Sequence, residues 1–242
     1  MKRNTMKQLQ DFFHNKAIES VLDIGTGTGD FVKVLDNVFQ GRAHITGIDP
    51  GEQWLNEARK RFQQPNIEFR RMEGEKLAFD DHRFDAVSMS KALHHLADIT
   101  ATMHEIRRVL KPGGWFIIDE VSADELSEAQ ENHKMLHHVK SFVDRANGIS
   151  HQETWSKDEI RDILIQQGVR IKLSFPHELM ENAIIDEAIL NEKYRMMEQH
   201  LEVLNGKPGY HQIAGQLPLF RERLKKHGFK MATMFMVVGQ FR

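Results

Sequence analysis

Three glycines alternate directly behind a short apolar run in Val21-Leu22-Asp23-Ile24-Gly25-Thr26-Gly27-Thr28-Gly29-Asp30-Phe31. Glycine tolerates positive φ and lets a ligand approach the backbone closely. The spacing is G-x-G-x-G, whereas the dinucleotide fingerprint is G-x-G-x-x-G. Asp23 stands just before the first glycine. A carboxylate there repels a pyrophosphate and holds an amine. The loop therefore favours a ligand that carries an amino group, and the bland alternative is an ordinary tight turn from strand to helix.

Two further sets of residues could do chemistry. His94 and His95 are adjacent, and imidazole titrates near neutral pH, so either could serve as a general base. The competing reading is that the pair packs a turn and orders the site. Among the 14 histidines, His133 and His137 stand four residues apart on one predicted helix face, with His138 beside them. That spacing can hold a metal ion. No third ligand is evident locally, so no metal is expected, and a solvated face or pocket lining is the preferred reading.

The elements that would position these residues follow from apolar spacing. Short apolar runs at 21–24, 44–48, 67–70, 84–89 and 115–118 read as strands. Phe31, Val34, Leu35 and Val38 recur at helical spacing, as do Trp54, Leu55, Ala58 and Phe62, and then Ile99, Met103, Ile106 and Leu110. Pro112-Gly113-Gly114 stops the last of these helices. Strands alternating with helices predict parallel βαβ units, with ligands at the carboxyl ends of the strands. In the second half, Ser122-Ala123-Asp124-Glu125 reads as a capping box opening a helix to about residue 147. Ser156-Lys157-Asp158-Glu159 reads as another, with Gly168 as its stop. Residues 169–175 and 235–241 read as further strands, and 179–204 as a long helical stretch rich in Met and charge. No linker separates two domains, so residues 1–242 read as one domain. The stretch at about 179–226 reads as a helical insertion or lid.

Bulk composition narrows the classes. Lys+Arg total 33 and Asp+Glu 35, giving a formal charge of -2. That balance offers no strongly basic face for nucleic acid. There is no cysteine, which excludes disulfides and thiolate metal sites. No apolar run approaches the ~20 residues of a membrane span. The basic N-terminal stretch lacks the apolar core of a secretory signal, so a cytoplasmic location is expected.

The glycine loop resembles motif I of the class I methyltransferases that use S-adenosylmethionine (SAM). The resemblance continues in order through Gly47-Ile48-Asp49, Met72-Glu73-Gly74-Glu75-Lys76-Leu77-Ala78-Phe79 and Phe84-Asp85-Ala86-Val87. It extends to Arg107-Arg108-Val109-Leu110-Lys111-Pro112-Gly113-Gly114. Ala92-Leu93-His94-His95-Leu96 resembles the histidine pair of the subgroup that contains the quinone-biosynthesis methyltransferases. The resemblance covers roughly residues 18–120; beyond them only the layout matches.

The resemblance implies a Rossmann-like, doubly wound, mostly parallel α/β sheet of seven strands, with a helical insertion after the fifth and sixth. It implies SAM as cofactor and S-adenosylhomocysteine as product, with residues 1–120 as the cofactor-binding half and 121–242 as the acceptor-side half. The implied cofactor set is Asp23, Gly25, Thr26, Gly27, Gly29, Asp49, Pro50, Trp54, Glu73, Gly74, Glu75 and Ser90. Asp49 would bind the ribose hydroxyls, since a carboxylate can accept both bonds, though Asp also suits a helix N-cap. Glu73 stands where Asp is usual and Ala78 where Pro is usual. Glu75 also reads as a solvated or helix-starting charge, and Asp85 as a structural group at its strand's start.

The expected activity is methyl transfer by in-line displacement, which depends chiefly on holding nucleophile and methyl in place. Phe12, Phe13, Trp155, Tyr194 and Tyr210, in the variable segments, suggest a small or medium organic acceptor. Met180, Met196 and Met197 read as an adaptable packed surface. The alternative is a SAM-binding sensor or partner-binding protein without turnover. Acceptor identity and oligomeric state stay open, a homodimer among the options.

Overall fold

In the computed structural model, which describes residues 3–242, strand β1 (Ser20–Ile24) is buried at every position after Ser20. Residues 1 and 2 of the basic N-terminal stretch lie outside the described residues. A strand without a polar face must be covered on both sides. Its neighbours are β2 (His44–Asp49) and β4 (Phe84–Ser90), both parallel to it. With β3 (Ile67–Arg71), β5 (Leu110–Val121), β6 (Val169–His177) and β7 (Met234–Phe241), the sheet has seven strands in the order β3-β2-β1-β4-β5-β7-β6. The chain runs outward from β1 to β3 and returns to β4 on the other side of β1. The topological switch point, where ligands bind in such sheets, is therefore at the carboxyl ends of β1 and β4.

The chain divides into two compact units. The first comprises residues 1–120, 158–177 and 235–242 and holds the sheet. Helices α1 (Arg3–Phe13), α2 (Asp30–Val38) and α3 (Glu52–Arg61) pack on one face of it. Leu9, Leu35, Leu55 and Ala58 there meet Val21, Ile45, Ala86 and Ile117 in one core. Strand residues between these point to the opposite face. There α4 (Ile99–Val109) brings Thr102 near Ile24, on either side of Gly74. α6 (Lys157–Gln166) sets Arg161 4.7 Å over the Phe235 ring. Phe13 is buried against Phe39 and Trp115, and Phe12 meets Trp115 edge-on. These two aromatics fasten α1 to the sheet rather than lining an acceptor pocket.

The second unit comprises residues 121–157 and 178–234. It is built on α5 (Glu128–Ala146), α7 (Glu187–Val203), α8 (Tyr210–Ala214) and α9 (Leu217–His227). Leu136, Val139, Val143, Met197, Leu201, Phe220 and Leu224 form its own core, with Tyr194, Tyr210 and Met196 packed at the edge. Trp155 pairs with Ser122 in an isolated bridge. No helix among the described residues is long and apolar enough to cross a membrane.

Three boundaries depart from expectation. α4 ends at Val109, and Leu110 is extended. Phe84 pairs with Leu110 and Ala86 with Trp115, so residues 111–114 bulge from β5, with Gly113 at φ 77°. The helix expected from Ser122 starts at Glu128, where Ser127 and Gln130 form the capping box. Asp124 instead accepts from the Lys157 amide at 3.0 Å, and Glu125 takes φ 57°. The stretch expected to be helical from 179 becomes α7 only at Glu187, capped by Asp186.

Arg108 fixes the loop after β3. It donates to the Leu77 and Phe79 carbonyls at 2.8 Å each, and to Asp81 and Glu105. Glu105 in turn accepts the Leu77 amide at 2.8 Å. Charge-assisted bonds of this kind contribute about 1.5–3 kcal/mol. Arg108→Ala should lower the urea unfolding free energy by about 2 kcal/mol at unchanged slope; an unchanged midpoint would show that the loop holds itself.

Candidate functional site at the carboxyl ends of the first, second and fourth strands

Asp23 is 1% exposed on β1. The parallel register sets it opposite Ser88, whose hydroxyl donates to Oδ1 at 2.7 Å. Its Oδ2 has no hydrogen-bond partner among the described residues. Burial pushes the Asp23 carboxyl from 3.8 up to about 6, against the bond from Ser88. A buried polar atom without a partner is costly, so this oxygen is poised for a donor that the protein does not supply.

The glycine loop keeps the ground beside Asp23 open. Gly25 has φ 68°, and a Cβ there would sit 2.7 Å from that of Ala92. Gly27 has φ 52°, and a Cβ there would meet nothing within 4 Å, so it borders free space. Thr26 is buried, and its amide donates to Ile48 O at 2.9 Å, tying the loop to β2. Gly29 caps α2 against the Phe62 ring and serves packing.

Asp49 ends β2. Its Oδ2 accepts the Gly27 amide at 2.9 Å and its Oδ1 the Gly51 amide at 2.8 Å. Each oxygen keeps a second lone pair. The Trp54 ring lies against Gly51 and is half exposed, and Pro50 is exposed beside Asp49. Ser90 is half-buried at the end of β4. Asp23, Gly25, Thr26, Gly27, Asp49, Pro50, Trp54 and Ser90 thus share the carboxyl ends of β1, β2 and β4. On the loop after β3, Gly74 is buried near Ile24, Glu75 half-buried and Glu73 exposed. Asp85 stands apart at the start of β4. Burial pushes its carboxyl up, but Lys111, Ser20 and the Glu19 amide more than offset this and hold it low.

The two adjacent histidines have different surroundings. His94 is buried, with Nδ1 2.8 Å from Glu120 Oε1. Glu120 Oε2 also accepts the Leu93 amide at 3.0 Å, which fixes the one-turn helix Leu93–His95. His95 is exposed, its ring centroid 4.2 Å from that of His94. A second buried pair, unmarked by sequence reasoning, joins Asp119 Oδ1 to His177 Nε2 at 2.7 Å. The sequence signal for both pairs was the acid doublet Asp119-Glu120 directly after the apolar run 115–118.

Residues 22–118 match the family described as methyltransferase domain. A ubiquinone/menaquinone biosynthesis C-methyltransferase from Desulfotalea psychrophila is 39% identical over 94 residues, 39% of this chain and 38% of that protein. A demethylmenaquinone methyltransferase from Chlorobaculum tepidum is 40% identical over 100 residues, 41% of this chain and 40% of that protein. The chain thus spans about two-fifths of the length of these curated relatives. Among solved structures, the YcgJ protein from Bacillus subtilis has a TM-score of 0.61 at 18% identity, over 100% of this chain and 99% of that one. A SAM-dependent methyltransferase from Geobacter sulfurreducens, solved with S-adenosylhomocysteine, has a TM-score of 0.58 at 16% identity, over 100% and 92%. These two likenesses show a shared fold.

Asp23 makes the unliganded protein pH-sensitive. Its folded pKa lies above the unfolded value, so its contribution to stability is fully present below 3.8 and is lost as pH rises through about 6. Asp23→Asn should therefore flatten this part of the stability profile, a difference of at most about 3 kcal/mol between pH 3.5 and 8; parallel profiles for the two proteins would contradict it. Gly27→Ala should cost only about 1 kcal/mol of stability, since its Cβ meets no protein atom, while obstructing whatever ligand the loop holds.

Proposed function

We propose that this chain, whose residues 22–118 match the methyltransferase-domain family, transfers a methyl group from SAM to a small or medium organic acceptor. The observation that carries the reading is the buried, half-partnered Asp23 carboxylate beside the open backbone at Gly27. A ligand with an ammonium group satisfies that oxygen, and the open backbone admits the chain that bears it.

The residues present fit the rest of such a ligand. Asp49 would take the ribose hydroxyls with its remaining lone pairs while Gly27 and Gly51 hold it rigid. Pro50 and Trp54 would flank the adenine. Glu73, Gly74 and Glu75 would meet its polar edge, and Ser90 would close the floor. When bound, SAM supplies an electrophilic methyl on a sulfonium. The protein's part is to hold the acceptor atom in line with it and to keep water out. His94, ordered by Glu120, and the exposed His95 are assigned to the acceptor side. A base is required there only for an acceptor that arrives protonated.

The family match ends at residue 118, before the helical unit begins. The acceptor is therefore assigned to a class only: quinone-like carbon acceptors and small oxygen or nitrogen nucleophiles both fit it. The C-methylation in the name of the Desulfotalea psychrophila relative supports the carbon acceptors.

Isothermal titration with SAM and S-adenosylhomocysteine tests the cofactor. We expect micromolar binding that weakens at least about tenfold in Asp49→Ala. An ammonium on Asp23 lowers its pKa, so binding at pH 6 should release about half a proton, read as buffer-dependent heat. That release should vanish at pH 8 and in Asp23→Asn. No heat with folded wild-type protein would sink the proposal, and binding without turnover across acceptor panels would favour a sensor.

A further inference from the structure

The helical unit carries a histidine array that the methyl-transfer reading does not use. His137 lies on α5, and Asp144 follows it seven residues later, two turns along the same face. The chain then reverses. Gly148 takes φ 76°, and the Ile149 amide returns to the Asp144 carbonyl at 2.9 Å. This turn lays His151 back along α5, where it is 3% exposed.

His151 is held at three points. Arg145 Nη1 donates to its carbonyl at 2.7 Å. Its Nδ1 lies 2.7 Å from Asp144 Oδ2. Its Nε2 lies 3.2 Å from the Nε2 of His137. The two rings meet at 82°, nitrogen to nitrogen rather than stacked. Lys140 forms an ion pair with the same Asp144 carboxylate, which keeps it an acceptor. The proton of His151 therefore belongs on Nδ1, and the Nε2 lone pair faces His137.

Carboxylate, imidazole and outward lone pair are the arrangement by which proteins orient metal-ligating histidines. The separation fits as well. Two nitrogens about 2.0–2.1 Å from a tetrahedral zinc ion stand about 3.3 Å apart. His138 is not part of this set: its Nε2 meets Thr154 Oγ1 at 2.9 Å and its Nδ1 faces Glu153. Neither is His133 needed, so the pair suggested by i,i+4 spacing is replaced by a pair across the turn.

We propose that His137 and His151 are the protein ligands of a divalent transition-metal site of the zinc class, with Asp144 orienting His151. Imidazole nitrogen selects such ions over magnesium or calcium. Two protein ligands leave further coordination positions for water or for an oxygen ligand. The inference does not rest on the SAM reading.

The test uses the full chain, tag removed and chelator-treated, titrated with zinc and with cobalt. One ion per chain should bind at micromolar affinity or tighter, and magnesium should not. His137→Ala and His151→Ala should each abolish binding or weaken it by at least a factor of about a hundred, and Asp144→Asn by about 10–100-fold. A surface control, His211→Ala, should leave it unchanged. His151 is deeply buried, so circular dichroism must show each variant folded. If a variant fails, wild-type 1H–15N imidazole spectra decide: zinc should shift two Nε2 resonances among the 14 histidines. No binding to wild type, binding that survives both histidine substitutions, or zinc shifts spread over many imidazoles would overturn the assignment.

Discussion

A carboxylate buried without a cation is the constraint around which the sheet-bearing unit is arranged. Asp23 accepts a bond from Ser88 on the adjacent strand. That bond exists only because β1 and β4 pair in a register that sets the two residues opposite each other. A slip of one residue would turn every side chain of β1 to the other face. The register is guarded by the apolar residues around Asp23, since Leu22 and Ile24 must each stay buried. The cost of the orphaned oxygen is thus borne by core packing, and the site gains an electrostatic preference before any ligand arrives.

The end of β5 shows a second use of buried charge. Asp119 and Glu120 are consecutive, so their side chains leave opposite faces of the sheet. One holds His177 at the end of β6, and the other holds His94 and the Leu93 amide after β4. Buried hydrogen-bonded pairs of this kind contribute modest net stability, but removing one partner is expensive. Their effect here is positional: they fix where two neighbouring segments end, next to the switch point.

The sequence made the cofactor side readable because its signals are local. Alternating glycines can only be a loop of positive φ, and a buried strand announces itself by an unbroken apolar run. The misread boundaries share a physical cause. Asp124 has the right type for a helix start, but a distant amide, that of Lys157, claims its carboxylate. Leu110 completes a helical stripe, yet its backbone is extended because Phe84 offers it a strand partner. The partners of His94, His137 and His177 were hidden for the same reason. Glu120, His151 and Asp119 are brought to them by tertiary folding, and even the acid doublet Asp119-Glu120 does not say which histidines it meets. Local patterns gave the elements; the pairing of charges across them needed coordinates.

Strand β7 has an effect on how the molecule is made. It lies between β5 and β6 and is the sole neighbour of β6 in the sheet. It is made only after the entire helical segment that follows β6. Until then, β5 and β6 carry unpaired edges, one of them continuous with a nearly complete sheet. Such edges are templates for pairing with other chains, and large nascent proteins are most prone to aggregation while they persist. Eight residues, Met234–Phe241, thus close two edges at once, which makes the synthesis of the intervening helical segment the interval of greatest need for chaperones.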